Sequence, residues 1–568
     1  MQVSILAGGE AGQGIQTVGL VLSTTLSRGG LHVFSDQEYQ SRIKGGHSLF
    51  RVRAADHPIG APTVKIDILI ALNKETIDLH RAKMAPEGTV ICDKETLKIE
   101  QADPALVHVP LEKLALETAA DKFVANTVAI GAALGLLRYD FELLAIVLKQ
   151  LLAKAGNDIV EKNIRAARAG FDFTRDNPRG RSLPAGSSLG QMLLNGNEAL
   201  SLGAMAAGMR FLAGYPMTPT TSILEFVNEK ATDQGIVVVQ SEDEISAINM
   251  VVGASYAGAR AMTATSGSGF CLMTEGLGLA GITETPAVVV LGQRPGPAVG
   301  LPTNTEQGEL LFACFAGTGE FPRAVLAPAT IEDCFHAAVR AFNLADKYQT
   351  VVIILTDHVL ATSYETVGKF DLTKVTIDRG SLFSEKDTSV DSYKRHSVTE
   401  SGVSPRAFPL QGRALVVTDS DEHNEEGHLD EDSGNRTAQV AKRLRKMDSL
   451  GKEVASPRAG MVDGATTTVI GWGSTYGATR EAVSMLRDEG KAVNHLHMDQ
   501  VWPFPADAVA SALGKTKYSC VVENNATGQM ARLIRMQTGI EVSCGINKYD
   551  GRPFVPEEIV AAIKGRVG

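Results

Sequence analysis

From the N-terminus, the apolar and polar positions form a short apolar run, Val3-Ser4-Ile5-Leu6-Ala7, then a glycine-rich loop from Gly8 to Gly14, then a helical repeat to Leu26. An apolar run bounded by glycines reads as a strand, and a 3.6-residue repeat as an amphipathic helix. Strands are expected near Val33 and over residues 49–53, and helices over residues 123–138, 141–152 and 160–169. The rhythm stops at residues 176–190, where Pro, Gly, Ser and Arg crowd together and read as a linker.

Beyond the linker the chain repeats one unit, a strand followed by a helix. An Ala/Gly-rich helix over residues 196–209 leads into a strand at residues 211–214 and a turn, Tyr215-Pro216-Met217-Thr218-Pro219. The two prolines fix φ and remove two N–H donors, so this turn presents side chains instead of continuing a ladder. The strand at residues 236–240 precedes Ser241-Glu242-Asp243-Glu244 and a helix to Gly253, and the strand at residues 261–265 precedes Ser266-Gly267-Ser268-Gly269. A further strand, residues 287–291, runs into Gln293-Arg294-Pro295. Polar residues thus collect at the carboxyl ends of parallel strands, where open α/β folds bind ligands.

Residues 369–461 lose this periodicity. Their acidic run, residues 419–432, with His423 and His428, reads as a solvated connector; its spacing matches no standard metal-ligand pattern. The basic stretch Lys442-Arg443-Leu444-Arg445-Lys446 is expected to pair with it. Residues 462–568 resume the strand and helix alternation of a doubly wound sheet. The expected organisation is α/β throughout, with domains at 1–175, 191–368 and 462–568, the linker at 176–190 and the connector at 369–461.

Composition narrows the function. A chain of 568 residues suggests roughly three to four domains. Its net charge of −10 argues against a nucleic-acid binder, which needs a cationic excess. Residues 124–137 are too short to span a bilayer, and the N-terminus lacks a signal peptide's basic region, so a cytoplasmic protein is expected. The cysteines, Cys92, Cys271, Cys314, Cys334, Cys520 and Cys544, are scattered as thiols in a reducing compartment, with no cluster to hold iron and sulfur.

Two groups of residues can carry chemistry. In the first domain the loop Gly8-Gly9-Glu10-Ala11-Gly12-Gln13-Gly14 can bring backbone N–H groups to an anion, although its order is not that of a dinucleotide loop. Arg42, Lys44 and His47, around Gly45 and Gly46, suit an anionic ligand or a plain basic hairpin. In the second domain Thr218, Glu244 and Arg294 stand at one sheet edge. Acids in a first helical turn are ordinary, and a surface arginine is common. They share that edge, and the marks around them decide between these readings.

Tyr215-Pro216-Met217-Thr218-Pro219, Glu242-Asp243-Glu244 with Gly253 and Gly258, Thr265-Ser266-Gly267, and Gln293-Arg294-Pro295-Gly296-Pro297 together resemble the pyrimidine-binding domain of thiamine diphosphate enzymes. The resemblance is to the alpha subunit of 2-oxoacid:ferredoxin oxidoreductases of the 2-oxoglutarate type. Residues 1–175 resemble the gamma domain of that family, fused at the N-terminus, and residues 462–568 the C-terminal domain of transketolase-like proteins.

The resemblance implies oxidative decarboxylation of 2-oxoglutarate with coenzyme A to succinyl-CoA and CO₂, reducing ferredoxin. Pyruvate or a branched 2-oxoacid is an alternative substrate, and a non-catalytic scaffold docking an electron carrier an alternative role. By resemblance Glu244 activates the cofactor at N1′ of its aminopyrimidine, with Tyr215, Pro216, Thr265, Ser266 and Gly267 around it. Thr218 and Arg294 hold the substrate carboxylate, and Lys44, His47 and Arg42 meet substrate or coenzyme A anions. Many relatives carry a hydroxyl after the Gly-Pro of the arginine loop; here Ala298-Val299 stand there, and Thr303 could substitute. The sequence has no Gly-Asp-Gly followed by Asn-Asn, the metal–diphosphate signature. By resemblance Mg²⁺, the diphosphate and a [4Fe-4S] cluster belong to a beta subunit, in a dimer of alpha–beta heterodimers.

Overall fold

The computed structural model describes residues 1–40, 45–100, 103–186, 190–384, 393–412 and 414–567, which form two compact units. The first comprises Met1–Asn195, Thr362–Lys369 and Phe554–Glu558. Its eight-stranded sheet has the order Leu106–His108, Met84–Cys92, Ile66–Ala71, Gln2–Glu10, His47–Ala55, His32–Glu38, Tyr364–Val367, Met192–Asn195. The first four strands are parallel, and every later pairing is antiparallel. Val3, Ile5 and Ala7 share one core with the helix Ile15–Arg28, while Leu6 joins Leu69 and Val90 on the other face. Burial on both faces is why the strand reads as an unbroken apolar run.

The helix Ala125–Leu136 is buried along almost its whole length, as expected of a helix that is apolar all round. It lies against Asn157–Thr174 through glycines: a Cβ on Gly131 would sit 1.9 Å from the Ala167 carbonyl oxygen, and one on Gly170 2.0 Å from that of Val128. Among the described residues no helix is long and apolar enough to cross a membrane. Part of the expected linker is clamped to this unit, since the Arg181 and Leu183 N–H groups donate to the Leu136 and Leu137 carbonyls.

The second unit comprises Gly196–Ala361, Phe370–Pro553 and Ile559–Gly568. One sheet has the order Gln500–Trp502, Arg323–Leu326, Val351–Asp357, Ala287–Gln293, Ala261–Thr265, Phe211–Gly214, Val237–Gln240, and only the Gln500–Trp502 edge is antiparallel. The other, Arg458–Gly460, Val493–Met498, Thr467–Trp472, Tyr518–Glu523, Cys544–Asn547, is parallel beyond its first strand. The span expected as one domain, 191–368, therefore gives strands near both its ends to the first unit's sheet. The span expected as a separate last domain supplies an edge strand to the sheet of the second.

Three expectations change. Cys520 and Cys544 are register partners on adjacent strands and form a disulfide; a pairing set by sheet register leaves no mark in the spacing of cysteines along the chain. The segment 419–432 is not simply solvated: His423 is buried, Glu422 pairs with Arg443 at 2.7 Å, and Asp432 caps the helix Ser433–Lys452. Lys442 and Lys446 on that helix do not pair with the acidic run. They hold Glu284 at 2.5 and 2.6 Å, all three fully buried, with His396 Nδ1 at 3.0 Å. Burial pushes the Glu284 carboxyl up, but Lys446, Lys442 and His396 outweigh it and hold it well below the usual carboxylate range.

Removing one partner of a buried ion cluster leaves charge that nothing compensates. Lys446→Met should lower stability by about 3 kcal/mol, read as a fall in the thermal midpoint. Lys374→Met, at an exposed lysine, is the control, and an equal shift in both variants would show that the cluster contributes nothing.

Candidate functional site in the second unit

The site is built from the carboxyl ends of four neighbouring strands. After Phe211–Gly214 the chain turns through Tyr215 and Pro216, both exposed, to a half-buried Thr218. The Thr218–Pro219 peptide is cis. Buried Asn197 fastens the turn through its Nδ2, which donates to the Pro219 carbonyl at 2.8 Å, and Thr220 Oγ1 donates to the Met217 carbonyl at 2.9 Å.

After Val237–Gln240 a capping box opens the next helix, Glu244–Tyr256: the Asp243 side chain accepts from the Ser246 N–H at 2.7 Å, and Ser246 Oγ lies 3.4 Å from the Asp243 N–H. The cap separates the two glutamates beside it. Glu242 is left exposed, whereas Glu244 is 4% exposed and its Oε1 has no hydrogen-bond partner. The carboxyl packs on the first turn of the helix Gly267–Leu272, which follows the strand Ala261–Thr265; a Cβ on Gly269 would lie 2.6 Å from Glu244 Oε1 and 2.1 Å from Thr265 Oγ1. Thr265 and Ser266 are fully buried, and Ser266 Oγ is also without a partner.

Arg294 follows Ala287–Gln293 and is buried, with one guanidinium nitrogen, Nη1, donating to the Thr218 carbonyl at 2.7 Å. Burial draws Arg294 below its usual range while Glu309 opposes the shift. The structure thus joins Arg294 to the Thr218 backbone and gathers Glu244, Thr265, Ser266 and Gly267 around one turn. Thr303 is buried on the loop beyond Arg294, where a Cβ on Gly300 would meet the Pro295 carbonyl oxygen at 1.8 Å.

Two acids of this region carry no signal in the sequence. Glu309, just before the short helix Leu310–Phe315, packs on Gly267, and Asp357 ends the strand Val351–Asp357. Burial pushes Asp357 up to about 6, offset in part by the Leu360 N–H and the Ser474 hydroxyl. Both look like ordinary acids beside a helix start, and burial alone sets them apart.

The candidate anion site of the first unit fares differently. Arg42 and Lys44 lie outside the described residues. His47 Nε2 is 2.9 Å from His80 Nε2, and burial lowers both imidazoles, His80 to about 4. His47, expected to meet anions together with Arg42 and Lys44, thus faces a second imidazole, with Glu75 and Glu38 opposing the downward shift that burial imposes on it. Of the glycine loop, Gly14 starts the helix Ile15–Arg28 with φ 74°, and Gly12, Gln13 and Gly14 line a cavity of about 320 Å³ with Lys122, Phe123 and Asn126.

Comparison with known proteins places the chain in a family. Residues 202–442 match the family described as pyruvate flavodoxin/ferredoxin oxidoreductase, thiamine diphosphate-binding. Residues 4–173 match pyruvate ferredoxin/flavodoxin oxidoreductase, and residues 465–559 match pyruvate:ferredoxin oxidoreductase core domain II. A 2-oxoacid:ferredoxin oxidoreductase subunit alpha of Sulfolobus sp. is 33% identical over 99% of this chain and 96% of its own length. The 2-oxoglutarate oxidoreductase subunit KorA of Mycobacterium tuberculosis is 30% identical over 100% of this chain and 92% of its own. A solved 2-oxoglutarate:ferredoxin oxidoreductase of Magnetococcus marinus, with 2-oxoglutarate, coenzyme A and succinyl-CoA bound, superposes with a TM-score of 0.93 at 32% identity, covering 100% of both chains. With relatives of this identity spanning almost its whole length, the chain belongs to the 2-oxoacid:ferredoxin oxidoreductases as an alpha subunit.

Proposed function

We propose that the chain is the alpha subunit of a 2-oxoglutarate:ferredoxin oxidoreductase. The reaction is 2-oxoglutarate, coenzyme A and two oxidised ferredoxins to succinyl-CoA, CO₂, a proton and two reduced ferredoxins, run in either direction. The observation that carries the reading is Glu244, a buried carboxyl with a bare oxygen set against Gly269, at the same sheet edge as the linked pair Thr218 and Arg294. Buried carboxyl oxygens are as a rule met by a hydrogen-bonding group, and the N1′ of an aminopyrimidine has the chemistry to be that group. The residues therefore fit thiamine diphosphate, which when bound supplies a carbon that accepts the electrons left by decarboxylation.

Glu244 shares a proton with N1′, and its burial makes that sharing effective. Tyr215, Pro216, Thr265, Ser266 and Gly267 shape the wall around the ring. Arg294 and Thr218 take the 2-oxoacid carboxylate, the guanidinium offering its remaining N–H donors. Thr303 is the substitute for the hydroxyl missing at Ala298 and Val299. His47, with Arg42 and Lys44, receives substrate or coenzyme A oxygens in the first unit. We assign the diphosphate, its Mg²⁺ and the [4Fe-4S] cluster to a beta subunit in a dimer of heterodimers. The names borne by the Mycobacterium and Magnetococcus relatives favour 2-oxoglutarate as the substrate.

Co-expression with the beta subunit should give a coloured, thiamine-containing complex that turns over 2-oxoglutarate faster than pyruvate, whereas the chain alone is colourless and inactive. Faster turnover of pyruvate would refute the substrate assignment, and iron–sulfur absorption in the isolated chain would refute the division of cofactors.

Glu244→Gln should lower turnover by about 10²–10⁴ with thiamine diphosphate still bound, and slow H/D exchange at the thiazolium C2. Glu242→Gln, at the exposed neighbour, should do neither. Normal exchange in the Glu244 variant would remove Glu244 from cofactor activation.

Arg294→Lys keeps a charge but loses the planar fork. Catalytic efficiency with 2-oxoglutarate should fall roughly 10- to 100-fold while thiamine occupancy persists. Unchanged efficiency would place the substrate carboxylate elsewhere.

A further inference from the structure

Glu309 is held as firmly as any residue of the site, yet nothing above uses it. Its N–H donates to Gln293 Oε1 at 3.0 Å, and Gln293 is the residue before Arg294. The flanking chain is pinned on both sides. Gln307, fully buried, exchanges backbone and side-chain hydrogen bonds with Asn524, and its Nε2 donates to the Trp472 carbonyl at 3.0 Å. Gln529 bridges the next residues, its Nε2 donating to the Gly308 carbonyl and its Oε1 accepting from the Leu311 N–H. A segment fixed at residues 307, 308, 309 and 311 leaves its carboxyl little choice of position.

That carboxyl faces the site. A Cβ on Gly267 would lie 2.4 Å from Glu309 Oε1, so it covers the same turn that carries Glu244 two residues further on. Its Oε2 is buried with no hydrogen-bond partner. The charged groups around it are few: Glu306 on its own loop, Arg294 from the strand end, and Glu244 across the glycine turn. Burial pushes the carboxyl up to about 8, Glu306 adding to the shift and Arg294 opposing it. Among the described residues Arg294 makes no ion pair with it or with any other acid. An ionised carboxylate in this position would compete with a substrate carboxylate for the guanidinium; a protonated one leaves the guanidinium's charge available and brings a donor of its own.

We propose that Glu309 is a specificity-determining residue of the site, a second reader of the 2-oxoacid carboxylate that works beside Arg294 as a hydrogen-bond donor. The proposal rests on the assignment of Arg294 to that carboxylate and adds a condition to it. Substrate is recognised only while Glu309 carries its proton. No proton need be transferred: the O–H donates, the substrate oxygen accepts, and both are restored when the carboxylate leaves as CO₂. The arrangement favours a substrate that brings an anion to this place, since a neutral carbonyl compound has no oxygen strong enough to reward a buried acid.

The test uses the complex with its beta subunit, with kcat and KM for 2-oxoglutarate measured from pH 7 to above pH 9 at saturating coenzyme A and acceptor. In the wild type KM should rise about tenfold per pH unit above pH 8, as Glu309 loses its proton. Glu309→Gln keeps a weaker donor that does not titrate. Its KM should be about threefold higher at pH 7 and no longer rise with pH. Glu309→Leu should raise KM roughly 10-fold at pH 7, with a smaller effect on kcat. An independent reading needs no turnover: the infrared band of a protonated carboxylic acid should be present in the wild type, bleach as the pH passes 8, and be missing from Glu309→Gln.

A Gln variant whose KM rises with pH as in the wild type, a Leu variant with wild-type KM, or infrared spectra of wild type and Gln variant that do not differ would each overturn the proposal. Measured on the same preparations, a normal response of Arg294→Lys and Glu244→Gln then leaves the thiamine-site reading standing while Glu309 falls. Failure of those two variants would instead bring down the site itself.

Discussion

The site depends on a close approach of carboxyl groups to backbone. Glu244 and Glu309 lie against one turn, Gly267-Ser268-Gly269, at distances that no Cβ would tolerate. Buried carboxyl oxygens without partners are unfavourable in a finished fold, so their positions must be imposed by stronger local structure. For Glu244 that structure is the capping box of its helix; for Glu309 it is the loop around Gln307, held by hydrogen bonds to the second sheet of the same unit. The C-terminal sheet thus bears on the candidate site by fixing a loop.

How much of this could be read from the sequence follows the range of the forces involved. Thr218, Glu244 and Arg294 were legible because each sits at a strand's carboxyl end, and strand ends are announced by local apolar runs and breakers. Glu244 is singled out by resemblance, from its spacing ahead of the Gly253 helix segment, and the helix start buries it while leaving Glu242 exposed. Glu309 was not legible. The residues before it, Glu306-Gln307-Gly308, offer no apolar pattern, and only the fold turns that loop into a buried one.

The same limit explains the connector. A run of acids beside a run of bases suggests that the two neutralise each other, yet Lys442 and Lys446 turn inward to Glu284, more than 150 residues earlier in the chain. The pairing of acid with base was legible for Arg443, which meets Glu422, and not for the two lysines, because burial selects their partner by geometry and not by proximity in sequence. Cys520 and Cys544 make the same point through sheet register.

The two late strands of the first sheet have a consequence for how the chain can be divided. Met192–Asn195 and Tyr364–Val367 close the His32–Glu38 side, with Thr366 Oγ1 also accepting from the Val33 N–H at 3.1 Å. A fragment ending near residue 175 keeps its apolar core but leaves His32–Glu38 as a bare edge, with unpaired N–H and C=O groups open to strand addition. Where nature or an engineer splits such a chain between its first and second parts, the short strand at Tyr364–Val367 must return from a separate polypeptide. The seam would then become a subunit interface made of backbone hydrogen bonds, one that assembles by completing a sheet.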